Sequence, residues 1–319
     1  MGRYFVGRLL ASLTVLVLAS AAVFFTLHLF SPIDFVDESL AAVPGIGNDP
    51  VLRQHFRHQL GLDRPLVAQY GSWLAGATRG NLGVSWASGR PVAAQVAETL
   101  PLTLEITVLA TAIAAAVSVP LGVLSAVRRN TLFDYAGRFL TVMGFSIPNF
   151  VIGVVLLLGL AMLWGWTPPA GYEPPWVDLR KHVLQVFLPV VSLGLSAAAI
   201  NVRILRTTML DVLHNDYIRT ARAKGLGAEA VIYRHALRNA LLPAITVFGT
   251  QVSFTLGGVV AIEQIYSLPG IGRLTLSAIQ RGNFPQVEAS VLYFLVAFLV
   301  VNLLIDLSYG WLDPRVRFG

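Results

Sequence analysis

The sequence predicts an all-α membrane protein with six transmembrane helices. Three observations carry that reading. First, the 319-residue chain is 55% hydrophobic and 13% charged, where an ordinary soluble domain is about a quarter charged. Second, six runs are long and nearly free of charge, and a bilayer span needs about 20 apolar residues. They are 9–30, 99–127, 139–166, 183–202, 239–262 and 289–312, and the charges within them are Glu105 and Asp306. Third, the basic residues between the runs are unevenly distributed.

Six spans put both termini on one side of the membrane. With that side cytoplasmic, the inner segments 1–8, 128–138, 203–238 and 313–319 hold 14 Lys and Arg. The short outer segments 167–182 and 263–288 hold 4, namely Arg180, Lys181, Arg273 and Arg281. Basic residues accumulate on the cytoplasmic side, so the termini are expected inside. The same rule explains the net charge of +6 without nucleic acid as a partner. There are no cysteines, which excludes disulfides, thiolate metal sites and a cysteine nucleophile.

The first span, 9–30, follows Arg3 and Arg8 like a secretion signal. Its apolar run exceeds the roughly 7–15 residues of a signal core, so it is read as a retained helix. Residues 31–98 form a small helical extracytoplasmic segment. It opens with Asp34, Asp37 and Glu38, turns at 44–50, and carries short helices at 51–60 and 66–77. The core of five further helices covers 99–312, and 313–319 is a cytoplasmic tail. Spans two and three contain Pro120 and Pro148, with Gly122, Gly144 and Gly153 nearby. In membranes such residues mark bends or close packing. Pro189 weakens the fourth span. Residues 263–288 hold a turn at Pro269-Gly270 and helical spacing over 273–280, a geometry suited to dipping back toward a pore. Glu263, Pro269, Gly270 and Gly272 are the candidates for an outer gate or turn.

The inner segment 203–238 is far longer than a turn. Asp216 is expected to cap a short helix over 217–224, Lys224 suits its last turn, and Gly225 fits the left-handed position beyond it. A second helix is expected to run to Pro243. The short helix carries Thr220, Ala221 and Ala223 beside exposed Tyr217, Ile218 and Leu226. A mere connector needs neither two caps nor exposed apolar side chains. On pattern alone the helix suits a groove on a partner protein and an anionic lipid surface equally.

This segment resembles the signature loop of ABC importer permeases, Glu-Ala-Ala followed three residues later by Gly. Arg219-Thr220-Ala221 stands where the general signature has Glu-Ala-Ala, and Gly225 is its glycine. The stretches 216–226 and 235–243 are similar to the dipeptide/oligopeptide permease family, whose spacing between this glycine and the following proline is longer. The likeness extends to Gly61-Leu62-Asp63-Arg64-Pro65, Gly80-Asn81-Leu82-Gly83, Glu98-Thr99-Leu100-Pro101, Ser146-Ile147-Pro148, residues 263–274 and Leu312-Asp313-Pro314-Arg315. The long first outer segment resembles the "B" permease of that family rather than its shorter-looped partner.

The resemblance implies a type I importer permease fold in the bacterial inner membrane. It implies a second homologous permease, two ATP-binding subunits or one fused ATPase, an extracytoplasmic solute-binding protein, and a peptide substrate. ATP and magnesium would bind the partner subunits, and no cofactor would bind this chain. The residues implied to couple to the ATPase are Asp216, Tyr217, Ile218, Arg219, Thr220, Ala221, Arg222, Ala223, Lys224, Gly225 and Leu226. Relatives in the same family handle glutathione, nickel complexes or haem.

The sequence itself offers no Gly-x4-Gly-Lys-Ser/Thr phosphate loop; its lysines are Lys181 and Lys224. An ion-driven secondary transporter would want central acidic or His relays. Glu105 and Asp306 lie within about two helical turns of a span end, where snorkelling or a local partner is the simpler role. His55 and His58, spaced i, i+3, lack a nearby third metal ligand. No pair of carboxylates or nucleophile–base set falls at mid-membrane depth.

Overall fold

The computed structural model describes residues 2–30, 51, 54, 55, 58 and 63–312. Among them the regular elements are helices: α1 (Gly2–Phe30), α2 (Leu66–Ala77), α3 (Val92–Val127), α4 (Leu132–Ser146), α5 (Asn149–Trp164), α6 (Leu179–Leu213), α7 (Asp216–Ala223), α8 (Ala230–Ile265), α9 (Ile271–Gln280) and α10 (Phe284–Leu312). The acidic stretch at 34–38, the turn at 44–50, most of the short helix predicted at 51–60 and the tail from 313 lie outside the described residues.

Five of these helices are long and apolar enough to cross a membrane, and α4 with α5 makes a sixth span if the bent pair counts as one. That pair occupies the span predicted at 139–166, and of the two roles expected of Pro148, a bend or close packing, it shows the bend. Pro148 has no N–H and disfavours a helical residue before it; Ile147 is accordingly extended (φ −97°, ψ 121°), and the two helices meet at 103°. Pro120, Pro189 and Pro243 instead lie inside continuous helices. The helix predicted to stop at Pro243 therefore runs on to Ile265. Its first turns, Ala230–Leu237, are π-helical. The fourth span also outgrows its predicted 183–202, because Asp178 caps it by accepting from Lys181 N at 2.9 Å.

The chain divides into two compact units, Met1–Leu102 with Pro269–Leu299, and Thr103–Leu268 with Val300–Gly319. In the first, Tyr70 on α2 donates its hydroxyl to the Val17 carbonyl of α1 at 2.9 Å, and Phe24, Tyr70 and Trp73 form an aromatic cluster. Ile271 of α9 packs with Val92, Val96 and Ala289. Asn283 ties down the loop before α3: it accepts from Trp86 N at 3.2 Å and donates to Ser85 Oγ at 2.8 Å.

In the second unit, small residues let helices approach. A Cβ on Gly194 of α6 would meet Ile113 of α3 at 2.8 Å, and one on Gly144 of α4 would meet Ala199 of α6 at 2.7 Å. A buried ion pair locks α4 to α6. Asp134, fully buried, accepts from Arg206 Nε at 2.7 Å and Nη2 at 2.8 Å. It also accepts from Ser125 Oγ at 2.5 Å and Asn130 N at 3.1 Å. All its acceptor capacity is met, which is the condition for burying a carboxylate.

Removing one partner of such a pair strands the other charge. Asp134→Ala should therefore lower stability by about 3–5 kcal/mol, seen as a fall in the thermal midpoint of the detergent-solubilised protein. An unchanged midpoint would show that Arg206 is solvated well enough without it.

Candidate functional site

The segment singled out by the sequence folds as α7 between two sharp corners. The residue preceding the helix is Asn215, which is extended (φ −69°, ψ 147°) and presents its carbonyl to Ile218 N at 3.0 Å. Asp216, expected as the cap, is instead the first helical residue; its carboxylate sits 3.5 Å from Arg219 in a fully solvated pair. Such pairs contribute little. At the other end Gly225 adopts φ +81°. Gly225 N bonds Arg222 O at 2.9 Å and Leu226 N reaches back to Ala221 O at 3.4 Å, the reverse-turn closure of a helix C-terminus. A Cβ on Gly225 would meet nothing within 4 Å. The requirement there is the left-handed backbone, which an L side chain adopts only under strain.

One face of α7 is anchored. Ile218, expected to be exposed, is fully buried, and Ala221 lies one turn on along the same face. They join a cluster with Val123 and Ala126 at the end of α3, Leu205 and Met209 on α6, and Val231, Ala236, Ala240 and Ala244 at the start of α8. The i, i+3 spacing of two apolar positions was too short a pattern to reveal this face. The opposite face is open. Tyr217, Arg219, Thr220, Arg222, Ala223, Lys224, Gly225 and Leu226 are all exposed, Tyr217 by 43% and Leu226 by 41%. A cationic helix is thus fixed to the ends of three long helices and turned outward.

The outer candidates fall in different places. Glu263, assigned by sequence to a loop, is the last buried residue of α8, fully enclosed, and accepts from Thr103 Oγ1 of α3 at 2.6 Å. The chain then turns at Ser267, with φ +55°, where Leu268 N bonds Glu263 O at 2.9 Å. That corrects the turn expected at Pro269-Gly270. Pro269 is exposed, Gly270 is extended at the head of α9 (φ −98°, ψ 175°), and Gly272 is buried within that helix. Tyr266, just past α8, donates its hydroxyl to the Gly153 carbonyl at 2.8 Å, and burial pushes its phenol pKa up.

Glu105 has a partner close in space, one of the two roles expected of it, but the sequence did not say which residue. His182, buried near the start of α6, places Nε2 at 2.8 Å from Glu105 and Nδ1 at 3.0 Å from the Glu173 carbonyl. Lys181 bonds the Glu173 carboxylate at 3.1 Å. Burial, and then the nearby Glu105, push the Tyr172 phenol up as well. These partners are 77 residues apart in sequence, so no local spacing could reveal the pair. His58 likewise bonds Asp63, at 2.8 Å, and that hydrogen bond holds the Asp63 carboxyl below its ordinary range.

Residues 118–318 match the family model of the binding-protein-dependent transport system inner membrane component, and residues 1–107 match that of the N-terminal region of such membrane components. The chain is 37% identical over 315 residues to the glutathione transport system permease protein GsiC of Pectobacterium atrosepticum, covering 99% of each. With GsiC of Escherichia coli K12 the identity is 33% at the same coverage. Its fold resembles the crystal structure of an amino acid ABC transporter with histidines, at a TM-score of 0.53 and 15% identity, covering 67% of this chain and 92% of that one. The chain belongs to the binding-protein-dependent transport system inner membrane component family and is an ABC importer permease.

Proposed function

We propose that this chain forms one half of the translocation pathway of an ATP-driven importer of short peptides, glutathione among them. The observation that carries the reading is α7: an outward-facing helix, closed at its C-terminus by Gly225, whose other face packs against the ends of α3, α6 and α8. A push on such a helix reaches three long helices at once, in the manner of rigid-body gating. The motor is a pair of separate ATP-binding subunits, or one fused ATPase, holding ATP and magnesium. The pathway's other half is a second homologous permease, and a solute-binding protein delivers cargo from outside. The 14-to-4 basic contrast supports α7 and both termini on the cytoplasmic side. The glutathione permeases to which the chain is similar support a tripeptide-sized cargo.

The test is uptake into proteoliposomes holding the assembled complex. Labelled glutathione or a dipeptide should enter only with ATP and the binding protein. Uptake that persists without ATP, or an assembly lacking any ATPase, would overturn the reading.

Gly225→Val should leave ATPase activity substantial while transport falls at least about tenfold, because a β-branched residue resists the left-handed corner. Equal coupling ratios in the two proteins would count against the corner. Arg219→Glu should weaken recovery of the ATPase subunits with the permease, since it reverses the charge on the open face. Undiminished assembly would place Arg219 away from the contact.

A further inference from the structure

A second basic feature lies apart from α7. Between α4 and α6 is a cavity of about 260 Å³ lined by Arg138, Thr141, Arg203, Arg206 and Thr207. Three arginines line it, and Arg206 has a carboxylate partner. Arg206 is committed through Nε and Nη2 to Asp134. Arg138 and Arg203 form no ion pair among the described residues; Arg138 lies 5.8 Å from the Tyr135 ring centroid. The pocket therefore carries an excess of positive charge.

Its depth is defined by the sequence. Arg138 immediately precedes the charge-free run 139–166, and Arg203 immediately follows the charge-free run 183–202. Both arginines thus stand where apolar helix gives way to polar surroundings, the level of lipid phosphates. On the α4 face that begins at Arg138, Val142 and Phe145 follow at i+4 and i+7, toward the apolar run. They are 60% and 63% exposed.

We propose that this pocket binds an anionic phospholipid, its phosphate held by Arg138, Arg203 and the free Nη1 edge of Arg206, its acyl chains lying along Val142 and Phe145. A soluble anion would use the charge and leave the apolar face bare; a lipid uses both. Basic pockets between transmembrane helices recognise headgroups through the same charge. The inference does not depend on the cargo.

The assembled transporter, stripped of lipid in detergent, is titrated with phosphatidylglycerol or phosphatidylcholine, and bound lipid is counted by native mass spectrometry. The tightest site should prefer phosphatidylglycerol. The exposed pair change R138Q/R203Q should weaken that site about tenfold or more, while R138K/R203K, which keeps the charge, should retain most of it. Arg206 is left in place because it holds Asp134. Equal phosphatidylglycerol binding in wild type and R138Q/R203Q overturns the proposal. So does displacement of the lipid by millimolar inorganic phosphate, which would mark a soluble-anion site. Loss of the second permease with lipid binding unchanged overturns it too, by assigning the arginines to a subunit contact.

Discussion

Everything in this molecule answers to one constraint: in hydrocarbon, backbone N–H and C=O groups must find partners within the chain. Uninterrupted helix is the general solution, and it is why α3, α6 and α8 continue through proline. Where the chain must leave a helix, the closure is equally internal. At Gly225 and at Ser267 a left-handed residue lets the next N–H reach back to a carbonyl of the turn just completed. The two sites use different residues for the same backbone. A serine tolerates it at a cost that glycine avoids, which is why the corner at Ser267 was invisible to a search for glycine and proline.

Three carboxylates of the second unit follow the same rule. Asp134 is surrounded by donors, Glu263 takes the Thr103 hydroxyl, and Glu105 meets His182. Each of these three is matched by a residue on another helix. These pairs join α3 to α4, α6 and α8, so the polar contacts brace the helices that the small-residue contacts bring close. The cluster around Leu205, Met209 and Ile218 completes that bracing at the end where α7 sits.

Much of this was legible from the chain. Charge-free length located the membrane helices, and the left-handed Gly225 located the end of α7, although the cap expected at Asp216 does not form. What escaped has two physical sources. Long-range pairs such as Glu105 with His182 and Asp134 with Arg206 depend on which helices become neighbours, and no spacing encodes that. Backbone at proline is the other. Pro148 breaks a helix whereas Pro120, Pro189 and Pro243 do not, and the residue type alone does not distinguish them. Ile218 was misjudged for a simpler reason: an eight-residue helix has too few positions for its buried face to stand out.

The division of α7 into two faces has an evolutionary corollary. Ile218 and Ala221 belong wholly to the permease's own packing, while Tyr217, Arg219, Thr220, Arg222 and Lys224 belong wholly to the outside. No residue serves both. With a motor docked on α7 as proposed above, drift on the outward face can retune the choice of motor without disturbing the pathway, and drift in the pathway can change the cargo without disturbing the motor. Duplicated transporters can thus diverge in what they carry while continuing to draw on one shared engine.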